Sequence, residues 1–215
     1  MIKNIFFDFD GVLVESVSVK TEAFRKLYDF AGTSVADKVV EYHLAHGGVS
    51  RFEKIKYFHE NFLGLEISQD DINLLADRFS NLALQGVLDA PEIEGVSGFL
   101  RNDSSQYNCW VITGTPTAEI KEILQKKGWD KYFLGAYGSP EKKKFWTEKL
   151  ILDNNLKREE TLFIGDAPTD LEAAEYSKLH FILRKYQDNL HLFENYRGHI
   201  INSFTDLNTL IKSII

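Results

Sequence analysis

Two aspartates separated by one residue are the first chemically pointed feature of the chain, in Asp8-Phe9-Asp10-Gly11. Positions i and i+2 of an extended segment face the same side. Like charges held that close repel unless a proton or cation relieves them, so the pair invites a divalent metal. Phe9 is expected on the opposite face, in the core, and Gly11 permits a sharp turn and a close approach to a ligand. A second acidic pair stands in Gly165-Asp166-Ala167-Pro168-Thr169-Asp170, and hard cations such as Mg²⁺ take oxygen ligands of this kind. Asp170 also suits a helix cap, a use compatible with metal binding. Between the pairs lies Trp110-Val111-Ile112-Thr113-Gly114-Thr115-Pro116-Thr117. Its amides and hydroxyls at a helix start form a seat for phosphate, and Thr117 is placed to cap that helix. The run Gly138-Ser139-Pro140-Glu141-Lys142-Lys143-Lys144 reads, in isolation, as a solvated lysine face.

Each acidic pair, and the Thr-Gly pair, needs a strand end to hold it. Ile2 to Phe9 is a short apolar run rich in Ile and Phe, as a buried strand requires. Cys109 to Thr113, Leu162 to Gly165, His180 to Leu183 and His199 to Ile201 resemble it. Ala118, Ile120, Ile123 and Leu124 recur at helical spacing over Thr117 to Lys127, with Gly128 closing the helix. Between Thr115 and Ser139 there is room for about one helix and a strand. Strands alternating with helices predict a parallel sheet covered on both faces. Residues 16 to 88 break the rhythm with helical patterns alone: Ala23, Phe24, Leu27 and Tyr28; Phe52, Ile55 and Phe58; Ile72, Leu75, Ala76 and Phe79. The predicted organisation is an α/β core, residues 1–15 and 89–215, interrupted by a helical insert over 16–88.

Composition narrows the class. The 215 residues suit one domain with an insert, and Gly at 14 and Pro at 4 exclude collagen-like and Pro-rich chains. Apolar runs such as Cys109-Trp110-Val111-Ile112 fall far short of the roughly 20 residues of a bilayer span. Asp8 arrives too early for a signal peptide. The single Cys109 excludes an intrachain disulfide and fits a reducing cytosol. A net charge of −7 argues against a nucleic-acid surface. The expectation is a cytoplasmic protein, monomer or weak dimer, with neither nucleic acid nor membrane as partner.

Taken in order, the four segments resemble the haloacid dehalogenase superfamily of phosphotransferases. Its Asp-x-Asp-Gly motif matches Asp8 to Gly11, its strand ending in Thr or Ser matches Thr113 with Gly114, and its Gly-Asp-x-x-x-Asp matches Gly165, Asp166 and Asp170. The family's single motif lysine has three candidates in a row. By resemblance to members carrying Gly-Ser-Pro-x-x-Lys the match is Lys143, with Lys142 and Lys144 open. The resemblance implies a Rossmann-like core with a helical cap inserted after the first strand. It also implies a Mg²⁺-dependent phosphomonoester hydrolase acting on a small phosphorylated metabolite, a sugar phosphate or a phosphoglycolate-like compound. Asp8 would be the nucleophile, forming an aspartyl-phosphate, and Asp10 the acid/base. Asp8, the Asp10 carbonyl, Asp166 and Asp170 would hold the metal, while Thr113, the Gly114 amide and Lys143 would hold phosphoryl oxygens.

The insert carries the choice of substrate. In residues 42 to 59, Arg51, Lys54 and Lys56 stand against Glu53, alongside His43, His46 and His59, a local cationic island. Ser50 is placed to cap a helix and Arg51 to reach a ligand. The stretch Gly48-Val49-Ser50-Arg51 is similar to the specificity loop of β-phosphoglucomutases, where the Arg grips a second phosphate. Lys20 departs from those enzymes, which carry a His at the matching hinge position. It weakens a mutase reading, and it also suits binding a substrate anion. A phosphosugar mutase is thus the alternative within the same chemistry. A non-catalytic binding module on this fold is the alternative from another class, opposed by retention of Asp8, Asp10, Thr113, a motif lysine, Asp166 and Asp170. His43 and His46 lack the Glu or Cys that a zinc site would need. The tryptophans and Cys109 read as packing residues.

Overall fold

A computed structural model describes residues 1–214. The apolar run at the start forms β1 (Asn4–Phe7), buried at every position. Four helices follow: α1 (Val17–Tyr28), α2 (Thr33–Ala45), α3 (Arg51–Phe58), which continues through a π-turn to Leu63, and α4 (Gln69–Asp89). The chain then alternates as α5 (Val96–Asn102), β2 (Asn108–Pro116), α6 (Thr117–Lys126), β3 (Gly135–Ser139), α7 (Lys143–Asp153), β4 (Thr161–Gly165), α8 (Pro168–Tyr176), β5 (His180–Arg184), β6 (His199–Ile201) and α9 (Leu207–Ser213).

The strands pair in parallel in the order β3-β2-β1-β4-β5-β6. This is the doubly wound, Rossmann-like order, whose ligand crevice lies outside the carboxyl ends of the strands where the winding reverses. That point is β1, flanked by β2 and β4. Alternation along β1 sends Ile5, Phe7 and Phe9 into one apolar layer and Phe6 into the other. The first layer packs with Phe99, Ile120, Ile123, Leu207 and Ile211 from the covering helices, the second with Leu150, Ile151, Ala173 and Ala174. Phe9 lies in the core, as its spacing from the aspartates predicts. Strand β3 is the element that apolar patterning identifies least, because its sequence is Gly-Ala-Tyr-Gly-Ser.

The four-helix stretch has its own apolar cluster, built on Phe24, Tyr28, Ile55, Phe58, Ile72, Ala76 and Phe79. Phe24 lies 4.2 Å from Phe79 and 5.6 Å from Phe58, ring centre to ring centre. The chain enters and leaves this cluster through two neighbouring passages. The Glu15 amide donates to the Pro91 carbonyl at 2.9 Å and the Ile93 amide to the Leu13 carbonyl at 3.0 Å. Among the described residues no helix is long and apolar enough to cross a membrane.

Phe7 ties the central strand to its covering layer, with ring centres of Phe99 and Phe133 6.0 Å away and Phe204 6.2 Å away. Phe7→Ala is expected to cost about 3–5 kcal/mol, as phenylalanine truncations in close-packed cores do. Urea unfolding checks this through the midpoint at unchanged slope.

Candidate active site

Strand ends and tight glycine turns bring the predicted residues to one place. Asp8 follows β1, Thr113 and Gly114 lie in β2, Lys143 opens α7, and Asp166 follows β4. Gly11 holds φ +73°, and a β-carbon there would lie 2.2 Å from Asp166 Oδ2, so the turn after β1 admits only glycine beside that carboxylate. A β-carbon at Gly165 would likewise fall 2.2 Å from Asp170 Cβ. Asp170 sits in the first turn of α8 and accepts from the Ala167 amide at 3.1 Å, so the capping use and the site use coincide.

Asp8, Asp166 and Asp170 are buried and offer carboxylate oxygens within 4.8 Å of one another. The lysine run resolves by exposure. The Lys142 side chain is 74% exposed and pairs with Glu53, and Lys144 is 43% exposed and pairs with Glu172. Lys143 is 4% exposed, with Nζ 2.8 Å from Asp8 Oδ2 and 2.5 Å from Asp170 Oδ1. Burial pulls the Lys143 pKa down, but Asp170 and Asp8 outweigh it and hold the ammonium firmly charged. Burial pushes Asp166 well above the usual carboxylate range, helped by Asp8 and Asp170. Burial and the Asp8 charge likewise push Asp170 up to about 7, against Lys143. Three carboxylates facing one ammonium leave two negative charges when all are ionised. That surplus and an all-oxygen donor set fit a hard divalent cation. The carboxylate of Asp10 lies outside this triad.

Asp10 instead accepts from Ser16 Oγ at 2.6 Å, Lys20 Nζ at 2.5 Å and Thr115 Oγ1 at 3.1 Å. Burial raises its pKa, but the Lys20 charge and these three donors outweigh burial and keep it ionised. Lys20 also donates to Thr115 Oγ1 at 2.6 Å. Thr113 is buried, and its Oγ1 accepts from the Thr115 amide at 3.3 Å. Thr117 does not cap α6. Pro116 occupies the cap position, and Thr117 Oγ1 bridges to β3, donating to the Gly138 carbonyl at 3.2 Å and accepting from the Gly138 amide at 2.8 Å. Proline at the cap leaves the threonine one residue inside the helix, where the neighbouring strand end is its nearest partner.

The loop between α2 and α3 lies across this edge of the sheet. Thr169 Oγ1 donates to the Gly47 carbonyl at 3.1 Å. A β-carbon at Gly48 would lie 1.9 Å from Thr169 Oγ1, and one at Gly114 would lie 2.6 Å from the Gly48 carbonyl oxygen. Ser50 Oγ caps α3 by accepting from the Glu53 amide at 3.3 Å, as its position predicts. Arg51 is buried, and its guanidinium reaches α6, donating to both Glu119 oxygens at 2.8 and 2.6 Å. It also donates to Ser80 and stacks 4.7 Å over Phe79. Burial raises the Glu119 pKa, yet Arg51 more than cancels this and holds the carboxylate charged. Under the loop is a cavity of about 80 Å³ lined by Asp8, Asp10, Lys20, Thr113, Gly114, Gly48 and Arg51. A second cavity of about 300 Å³ on the other side of the loop also touches Thr113, Gly114 and Lys143.

Several residues here carried no sequence signal. Tyr186 Oη donates to Asp166 Oδ2 at 2.9 Å, and Asn189 Nδ2 donates to the Asp166 carbonyl at 2.9 Å, fixing that acid from the turn after β5. Glu119 reads in sequence as a surface helix position. Lys54 and His43 were visible only as members of a charged stretch, yet they join inside the four-helix layer, with Lys54 Nζ donating to His43 Nδ1 at 2.8 Å. His46 stacks on Tyr42 at 3.8 Å. Cys109 is buried, and burial pushes its thiol up to about 12.

A family model for haloacid dehalogenase-like hydrolases matches residues 2–177. No curated protein matches by sequence. Among solved structures, the chain is similar to a predicted phosphoglycolate phosphatase from Haemophilus somnus 129PT (TM-score 0.75, 20% identity, 97% of each chain covered). It is similar to a predicted phosphatase from Clostridium acetobutylicum (TM-score 0.77, 18% identity, 99% of each chain). It is also similar to a β-phosphoglucomutase from Clostridium difficile (TM-score 0.75, 18% identity, 98% of this chain and 93% of the other). At such identities the likeness is one of fold.

The Arg51–Glu119 pair is the buried ion pair that ties the α2–α3 loop region to the sheet layer. Glu119→Gln leaves the Arg51 charge buried and unpaired, which strains closure. Amide exchange over residues 46–51 should quicken by about tenfold or more, while that of the β1 and β4 amides stays slow. Hydrogen-exchange mass spectrometry reads both.

Proposed function

This chain belongs to the haloacid dehalogenase-like hydrolases, and from that premise we propose that it is a Mg²⁺-dependent phosphomonoester hydrolase acting on a small phosphorylated metabolite. The observation that carries the reading is the buried Lys143 held between Asp8 and Asp170, with Asp166 beside them and Thr113 across the same edge. In this reading residues 1–15 and 89–215 are the core and residues 16–88 a cap that closes the site.

Phosphoryl transfer asks for positioning and charge neutralisation more than covalent work. Asp8 attacks phosphorus in line, and the alkyl oxygen leaves with a proton supplied through Asp10, giving an aspartyl-phosphate. Asp10 then takes a proton from water, whose oxygen attacks phosphorus; inorganic phosphate departs and Asp8 is restored. Thr113 Oγ1, the Gly114 amide and the Lys143 ammonium hold the phosphoryl oxygens. Lys20 and Ser16 keep Asp10 ionised before substrate arrives, the state needed for the base step. For the acid step Asp10 must first gain a proton, and Lys20, 2.5 Å away, is placed to yield its hydrogen bond as that happens. Mg²⁺ held by Asp8, Asp166, Asp170 and the Asp10 carbonyl would neutralise charge between nucleophile and phosphate.

The alternative is a β-phosphoglucomutase-like mutase, supported by the Gly48-Val49-Ser50-Arg51 loop. Against it, Lys20 stands at the hinge, and the Arg51 guanidinium already has Glu119 as its partner. Supplying β-glucose 1-phosphate separates the readings, since isomerised sugar marks a mutase and free phosphate a phosphatase.

A phosphate-release screen over phosphorylated metabolites should show turnover with Mg²⁺ and none after chelation. Asp8→Asn should lower kcat by about 10³-fold or more with thermal unfolding little changed, as loss of a covalent nucleophile does. Substantial turnover in this variant would remove Asp8 as nucleophile. Lys143→Met should lose activity of similar order, while Lys142→Met and Lys144→Met should retain it.

A further inference from the structure

Two of the three cations that line the small cavity have a carboxylate partner: Lys20 with Asp10, and Arg51 with Glu119. Lys54 has none within 4 Å among the described residues. It sits in the first turn of α3, 2% exposed. Its ammonium donates to two neutral acceptors, His43 Nδ1 at 2.8 Å and the His43 carbonyl at 3.3 Å, and lies 5.8 Å from the Phe24 ring centre. Lys54 and His43 line the same cavity as Asp8 and Asp10.

A buried ammonium without a counter-ion is costly, and a chain tolerates it where an anion arrives from outside. Burial first, then the charges of Lys20 and Lys143, push Lys54 down to about 7 against the pull of Asp10. Burial, Lys54 and Lys20 keep His43 neutral. A neutral ring accepting at Nδ1 carries its proton on Nε2 and so remains a donor there. An arriving anion would restore full charge to Lys54.

We propose that Lys54, supported by His43, is the subsite for a second anionic group of the substrate, and that this group is a carboxylate. The substrate class is then a short phosphorylated carboxylic acid. This rests on the phosphomonoester reading, whose phosphoryl end lies at Asp8 and Thr113. One feature favours carboxylate over a second phosphate: the guanidinium that would grip a phosphate bidentately is committed to Glu119. Arg51 becomes the latch that closes the site, and Lys54 the group that reads what is inside.

The test compares kcat/KM for 2-phosphoglycolate, ethyl phosphate and ethylene glycol bisphosphate in the wild-type protein, Lys54→Met and Lys54→Arg. Wild type should prefer 2-phosphoglycolate over ethyl phosphate by about 10- to 100-fold, the range of one charged hydrogen bond. Lys54→Met should collapse that ratio whatever its absolute rate, and Lys54→Arg should retain part of it. A wild-type ratio near one, or a ratio unmoved in a folded Lys54→Met protein, overturns the subsite. Preference for the bisphosphate overturns the carboxylate assignment. Calorimetry on Asp8→Asn, with and without Lys54→Met, measures binding of 2-phosphoglycolate against ethyl phosphate without turnover. If wild type releases phosphate from nothing, hydrolysis falls as a reading, while a Lys54-dependent preference in binding still upholds the subsite. No such preference overturns it.

Discussion

A single buried ammonium between two buried carboxylates organises this molecule. Lys143 lies within 2.8 Å of Asp8 and 2.5 Å of Asp170, so the junctions after β1, β3 and β4 each contribute one of the three groups. Buried charges are tolerated only in pairs with good geometry, so the three junctions must meet at one place. The central position of β1 makes the meeting possible, because its neighbours β2 and β4 end on either side of Asp8. The glycines at 11 and 165 let the backbones close in around the acids where a β-carbon would collide. Removing the ammonium leaves two buried anions facing each other, so the lysine is part of the framework.

The four-helix layer is held against the sheet layer by a second buried pair of different character. Arg51 makes a two-pronged contact with Glu119, shares Ser80 with it, and stacks on Phe79. A planar guanidinium suits this task better than a lysine, since one side chain supplies a carboxylate fork and an aromatic face together. The helix bearing Arg51 belongs to the four-helix layer, and Glu119 belongs to a helix against the sheet, so the pair reports directly whether the two layers are together. Gly47 and Gly48 add backbone-close contacts to Ala167, Thr169 and Gly114. The loop therefore closes by fit, and the ion pair fixes its register.

The edge that gathers the candidate site was legible in the sequence because its residues follow apolar runs and precede turns. Asp8, Thr113 and Asp166 announce themselves by that context, and the Ile-Phe strand before Asp8 was readable from its β-branched and aromatic content. The helical layer was legible from spacing alone: Ala23, Phe24, Leu27 and Tyr28 are all buried together. What was not legible depends on partners far along the chain. Glu119 carries no local mark distinguishing it from an exposed helix acid until Arg51, 68 residues earlier, is placed against it. Lys143 could be separated from Lys142 and Lys144 only by burial. Thr117 looked like a cap because its type favours that position, but Pro116 displaced it by one residue and gave its hydroxyl to β3. Tyr186 and Asn189 hold Asp166 from a 3₁₀ turn with no pattern of its own.

Net charge and local charge point in opposite directions in this chain. The protein carries −7 overall, a balance that repels phosphates at long range, yet three cationic side chains, Lys20, Arg51 and Lys54, line the small cavity beside Asp8. Two of them are matched by carboxylates, so the positive field of the cavity is largely spent on holding the structure in register. A ligand entering there meets a set of pairs that it must either displace or complete. On the proposed reading, a phosphoryl group would exchange partners with Lys143 beside Asp8, a rearrangement among charges already present. The far end of the cavity differs, because Lys54 has only neutral acceptors to hold it. Binding there adds a counter-charge where none exists, so the electrostatic gain is not offset by a broken ion pair. Selectivity in such a site is expected to come from the unpaired position, since the paired ones give back on displacement what they gain on contact.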